Sequence, residues 1–206
     1  MNRIGYIGAT DFAHIFTVDK WHCARRLWYE KTETAEDYPG GNEDLFALGH
    51  ALEPYVVAQA CERRGLTVVE ELPRNPDVPD WLQGHPDRIV SGRSRSGLGP
   101  FEAKTMGGNY FHHRVQEGMP KAYILQLQAY LLQTGCRWGM WGLLNRDSGK
   151  LIIFDIEPEP KIQADILEAG GIFWQSVQEG DPPRGWLDKA NDDGAPGTVP
   201  PPLTPK

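Results

Sequence analysis

Gly84-His85-Pro86-Asp87 and, fourteen residues on, Glu102-Ala103-Lys104 set the reading of the chain. Both stretches adjoin apolar residues with strand character: Ile89 and Val90 after the first, Phe101 and Ala103 around the second. The spacing predicts two strands, Leu82–Val90 and Gly99–Thr105, joined by the Gly/Ser/Arg loop Ser91–Gly97. A strand repeats its side-chain direction every two residues, so Glu102 and Lys104 leave one face together. If the strands pair, Asp87 comes within several ångströms of Glu102, and two carboxylates and an ammonium meet at one point.

The flanking sequence extends that hairpin into an α/β domain. Upstream, Asp11 is placed to cap a short helix over Phe12–Phe16, and Trp21–Lys31 carries apolar residues at helical spacing. Tyr38–Asn42 reads as a loop. Glu43–Arg64 reads as a long helix closed by Gly65, with Phe46, Leu52, Val56, Val57 and Ala60 sharing a face. Leu66–Leu72 reads as a strand. Downstream, Met119–Thr134 is an amphipathic helix, Arg137–Asn145 and Lys150–Ile156 a second hairpin, and Ile162–Gln178 a last helix. Helices, strands, helix, strands, helix is the order of a mixed central β-sheet flanked by helices, not of a doubly wound parallel sheet. The expected layout is one domain over residues 1–180 and a Pro/Gly-rich tail over 181–206.

Composition narrows the function classes. The chain has 206 residues, 40% hydrophobic and 24% charged, with a net charge of −7. No stretch reaches 18 uncharged apolar residues, so no membrane association is expected. A net negative charge argues against non-specific coating of nucleic acid and requires any DNA-binding surface to be concentrated. Three separated cysteines, Cys23, Cys61 and Cys136, suit neither a disulfide framework nor a CxxC metal site, and no signal-peptide core follows Met1. A cytoplasmic location is the expectation.

The residue types at the hairpin point to hard-cation chemistry. Mg²⁺ takes one or two carboxylates and fills its shell with other oxygens. Asp87, Glu102 and the Ala103 carbonyl offer that set, Glu53 on the long helix offers a third carboxylate, and Lys104 can orient a water or offset developing negative charge. On those residues alone, a cross-strand salt bridge beside a solvated aspartate is an equal reading; the apolar flanks and the Gly99-Pro100 lead into the strand favour a site. Gln126 and Tyr130, four apart on one helical face, offer an amide and a hydroxyl to the same chemistry, or a plain polar stripe on a buried helix.

Taken in order, Arg3–Asp11, Gly49–Glu53, His85–Asp87, Glu102–Lys104 and Tyr123–Gln128 resemble the PD-(D/E)xK nuclease pattern and, more closely, the YqaJ-like viral recombinases, the lambda-type phage exonuclease family. The resemblance spans roughly residues 3–175. It implies a restriction-endonuclease-like core and a Mg²⁺-dependent enzyme, with two ions and Mn²⁺ as a substitute. Such an enzyme digests one strand of linear double-stranded DNA 5′→3′ to mononucleotides, leaving 3′ overhangs for recombination. It implies metal binding by Asp87, Glu102 and Ala103 with help from Glu53, positioning of the nucleophile by Lys104, and support from Gln126. It further implies a 5′-phosphate pocket at Arg3 and Thr10, with His85 where the family carries a hydroxyl, and a DNA-facing Lys20. The implied partners are DNA ends, two further copies in a ring-shaped homotrimer, and a single-strand annealing protein. The rival expectations are a RecB- or Cas4-like single-strand nuclease or an endonuclease of the same fold, and a DNA-end-binding protein without activity.

Overall fold

A computed structural model describes residues 4–18, 22–32 and 43–183. Arg3, Lys20, Trp21, Trp186, the Tyr38–Asn42 loop and the tail beyond residue 183 lie outside the described residues.

A 3-10 turn, Ala9–Asp11, leads into α1 (Phe12–Ile15), followed by α2 (Ala24–Lys31) and α3 (Glu43–Arg64). Next come β1 (Leu66–Val69), β2 (Arg88–Gly92), β3 (Arg95–Met106), α4 (Gly108–Glu117) and α5 (Lys121–Thr134), and the chain closes with β4 (Gly139–Asn145), β5 (Leu151–Ile156) and α6 (Pro160–Glu179). The five strands form one sheet in the order β1-β2-β3-β4-β5. All neighbours run antiparallel except β3 and β4, which are parallel and in register from Phe101↔Met140 to Met106↔Asn145. A parallel pair needs a crossover, and α4 and α5 supply it.

Every residue of β4 is buried, as expected of a strand covered on both faces. On one face α3 presents Val56, Val57 and Ala60 to Phe101, Met140 and Leu144. On the other, α5 and α6 pack with the N-terminal segment around Phe12, Leu125, Leu127, Trp141 and Ile166. The first layer sits close because Gly142 faces α3. A Cβ there would lie 2.6 Å from Val56 Cγ1 and 2.7 Å from Phe101 Cζ. Trp28, Trp138 and Trp141 are core residues.

The bounds of α3 coincide with those expected. Glu43 and Asp44 open it and Arg63 and Arg64 close it, each charge matched to the helix dipole, and Gly65 ends it at φ +61°. Four local expectations are corrected. Asp11 stands at the N-cap position of α1, but its side chain makes no capping hydrogen bond there: it accepts the Gly8 N–H at 2.8 Å and forms a buried ion pair with Lys31 at 2.6 Å. Phe46 is 61% exposed, because it lines the open cleft instead of packing into the core. The first strand ends at Val69. Residues 82–87 are not strand: Leu82 makes one isolated bridge to Ile7, and pairing with β3 begins at Arg88. The helix α4 has no counterpart in the expected elements. Its first turn is held from outside, Gly108 N–H donating to Asp147 Oδ2 at 2.6 Å, and Gly118 at φ +86° ends it.

Among the described residues no helix is long and apolar enough to cross a membrane.

Candidate active site

Glu102 and Lys104 point from β3 toward α5, while Phe101 and Ala103 point toward α3. Lys104 Nζ lies 2.7 Å from Glu102 Oε1, and Gln126 Nε2 donates to the same oxygen at 2.6 Å. Asp87 stands where β2 parts from β3. Its Oδ2 accepts the Ala103 N–H at 2.7 Å, and its own N–H reaches Glu102 Oε2 at 3.4 Å. The two carboxylates and the lysine therefore converge as the spacing required. Asp87 Oδ1 carries no hydrogen bond among the described residues, and Glu102 Oε2 holds only that one long one.

The loop that delivers Asp87 is fastened to α5. Gln126, Tyr130 and Gln133 form one row at helical spacing. Gln126 donates to Tyr130 Oη at 3.2 Å, Tyr130 donates to the His85 carbonyl at 3.0 Å, and Gln133 donates to the Gly84 carbonyl at 3.0 Å. Gly84 is the residue that allows this approach, since a Cβ there would sit 2.8 Å from the Tyr130 ring. The polar stripe is thus a row of struts joining both acidic residues to one helix.

Burial dominates the electrostatics. It pushes the Glu102 carboxyl above its usual range; Lys104 opposes the shift and the like charge of Asp87 adds to it. For Lys104 burial works against the charged form, but the charge and hydrogen bond of Glu102 outweigh it, so the ammonium is held above its ordinary value. Lys104 Nζ also lies 5.0 Å from the centre of the Tyr123 ring, within cation–π range. Burial raises the Tyr123 hydroxyl in turn.

These groups line a cleft of about 420 Å³ together with Leu45, Phe46, His50, Glu53, Thr105 and Arg146. Glu53 lies in the cleft, but its Oε1 is taken by Arg88 at 3.0 Å and its Oε2 lies 4.0 Å from His50 Nδ1. Among the described residues no three histidine, cysteine or acidic side chains stand together as a ready metal cage. Thr10 and His85 are both exposed, on segments that meet: Ile7 bridges Leu82, and Ala9 lies against Gly84. His113 and Arg114 lie on α4, where His113 pairs with Glu117 at 3.0 Å.

Sequence reading did not single out Tyr123, Arg88, Gln133 or Arg146. Tyr123 and Gln133 carried a signal, standing three before and seven after Gln126 on the same helix. Arg88 and Arg146 carried none, because their positions depend on how α3 and the β4–β5 turn meet the cleft.

A family model described as the YqaJ-like viral recombinase domain matches residues 1–137. Two crystal structures of the alkaline exonuclease LHK-Exo from Laribacter hongkongensis, one in complex with dAMP, superpose with TM-scores of 0.69 and 0.68 at 20% identity, covering 87% of this chain and 91% of that one. A phage-related exonuclease from Haemophilus somnus 129PT superposes with a TM-score of 0.57 at 15% identity, covering 85% and 96%. No curated protein matches the chain. The fold is the restriction-endonuclease-like one.

Proposed function

The chain belongs to the YqaJ-like viral recombinase family, and from that premise we propose that it is a metal-dependent exonuclease acting on the ends of linear double-stranded DNA. The observation that carries the reading is the meeting of Asp87, Glu102 and Lys104 at one point, with Gln126 fixing Glu102.

The residues present fit a hard divalent cation. Two carboxylates are packed together with one free oxygen and one nearly free oxygen, in surroundings that penalise their charge. Asp87, Glu102 and the Ala103 carbonyl would hold the ion, and Mg²⁺ needs no larger protein cage because it keeps waters and phosphate oxygens. Glu53 would join from α3 on release from Arg88. Two ions, with Mn²⁺ replacing Mg²⁺, complete the reading. When bound, such a cation supplies charge neutralisation at phosphoryl oxygens and acidification of water.

The chain's own groups do the rest. The Ala103 N–H and Gln126 amide fix the orientation of the two carboxylates, so that no reorganisation is needed at the moment of reaction. Lys104 remains protonated and holds an attacking water, or offsets charge on the phosphoryl group. Thr10 and His85, on touching segments beside the Asp87 loop, support a pocket for the 5′-phosphate, completed in this reading by Arg3 and with Lys20 facing the duplex. Removal of nucleotides 5′→3′ and a 3′ overhang follow from placing the chain end there. A homotrimeric ring suits a net charge of −7, since a ring retains DNA without a broadly basic surface. A single-strand annealing protein is the expected recipient of the overhang, in the host cytoplasm.

Digestion of linear duplex with 5′-phosphate against 5′-hydroxyl ends, with Mg²⁺ or EDTA, tests the proposal. Mg²⁺-dependent release of mononucleotides, faster from phosphorylated ends, is expected. Cutting of a closed circle would instead establish an endonuclease.

A further inference from the structure

Among the described residues, the cleft is lined by a cation that the site does not use. Arg146 follows the last residue of β4, and its guanidinium makes no hydrogen bond or ion pair with any described residue. The other cations near the carboxylates are in a different condition: Lys104, in the cleft, is committed to Glu102, and Arg88 is committed to Glu53. The position of Arg146 is firmly built. Its N–H donates to the Met106 carbonyl at 2.9 Å, and Asn145 Oδ1 accepts the N–H groups of Asp147 and Ser148 at 2.9 and 3.3 Å. Asp147 in turn caps α4. A half-buried guanidinium on a braced turn, facing a cleft that also holds Glu53, Asp87 and Glu102, has given up solvent freedom without an internal partner.

We propose that Arg146 binds a backbone phosphate of the DNA strand in the cleft, other than the phosphate that faces Lys104. The register supports that separation. Lys104 pairs with Leu143 and Met106 with Asn145, so the Arg146 end of the cleft lies two strand residues further on. That advance is about 6.6 Å, against an axial rise of roughly 3.4 Å per nucleotide of duplex, so the two cations address different phosphates. The planar fork of an arginine suits the two oxygens of a phosphodiester, and the contact reads no base. It offsets the carboxylates that would otherwise repel the entering strand.

The inference rests on the nuclease reading, and its test separates the two. Fluorescence anisotropy in EDTA measures binding of a short 5′-phosphorylated duplex over a salt series, and steady-state digestion in Mg²⁺ measures kcat and KM. Arg146→Ala is expected to weaken binding about tenfold for any sequence and to lower the salt slope by about one. It should raise KM more than it lowers kcat. Arg146→Lys should recover part of the loss, and Lys150→Ala, on the same turn but outside the cleft, should change nothing. Wild-type cleavage with Arg146→Ala unchanged in affinity and slope overturns the inference alone. A wild-type protein that neither binds nor cuts DNA overturns the nuclease reading and this inference with it.

Discussion

Gln126 donates to Glu102 Oε1 at 2.6 Å across the α4–α5 crossover, and the same oxygen holds Lys104 at 2.7 Å. An amide on a helix therefore sets the direction of a carboxylate on a strand. Its other partner is Tyr130, whose hydroxyl reaches the loop that delivers Asp87.

Gln126→Ala is expected to raise the Mg²⁺ concentration needed for half-maximal digestion by about 10–100-fold, the usual cost of losing a group that orients a metal ligand. Excess metal should restore part of the rate. Gln126→Glu should do worse, because it sets a third carboxylate against Glu102. Digestion rates over a Mg²⁺ series check this; a wild-type curve for Gln126→Ala would detach the amide from the site.

Lys104→Ala and Asp87→Ala should each reduce digestion of linear duplex by at least about a hundredfold, the scale of losing one preorganised charged group. Both side chains lie at the cleft rather than in the apolar core, so circular dichroism should show the native helix content. Digestion by either variant at the wild-type rate would refute the assignment of the site.

Gly142→Ala inserts a methyl group between Val56 and Phe101, where no space exists. Overpacking of this kind costs about 1–3 kcal/mol. The expected result is a lower urea midpoint with an unchanged slope; a midpoint equal to that of the wild type would mean that α3 can shift outward at no cost.

His14 gives a pH dependence of stability. Burial lowers its pKa below the ordinary 6.5, the charges of His22 and Arg26 lower it further, and Glu30 and Asp11 oppose them. Its Nδ1 accepts the Cys23 N–H at 3.3 Å, a bond that needs the unprotonated nitrogen. The folded state thus favours the neutral ring, and the unfolded chain takes up the proton first as pH falls. The contribution is complete above the ordinary histidine value and is lost as pH drops through the folded one. Melting temperatures at about pH 7.5 and about pH 5.5 should fall further for the wild type than for His14→Gln. Equal falls would show that other groups carry the acid sensitivity.

The parts of the molecule legible in the sequence were those fixed by local periodicity. The bounds of α3 follow from its terminal charges and Gly65, and the meeting of Asp87 with Glu102 follows from strand alternation and a tight hairpin. What depended on tertiary contact was not legible. Phe46 keeps the helical spacing of the buried face, yet it lines the open cleft. The strand expected at Leu82 is replaced by a loop, because Tyr130 and Gln133 take its carbonyls. Nothing local marks α4, whose first turn is satisfied by Asp147 from a distant turn. Arg88 adjoins Asp87 in the chain, but only the placement of α3 shows that it occupies Glu53.

The struts from α5 have a consequence for synthesis. Asp87, Glu102 and Lys104 leave the ribosome before Gln126, Tyr130 and Gln133 do. Until that helix docks, Glu102 lacks the Gln126 amide and the Asp87 loop lacks its ties to Tyr130 and Gln133. A nascent or partly folded chain thus carries the acidic residues and Lys104 without the helix that braces them.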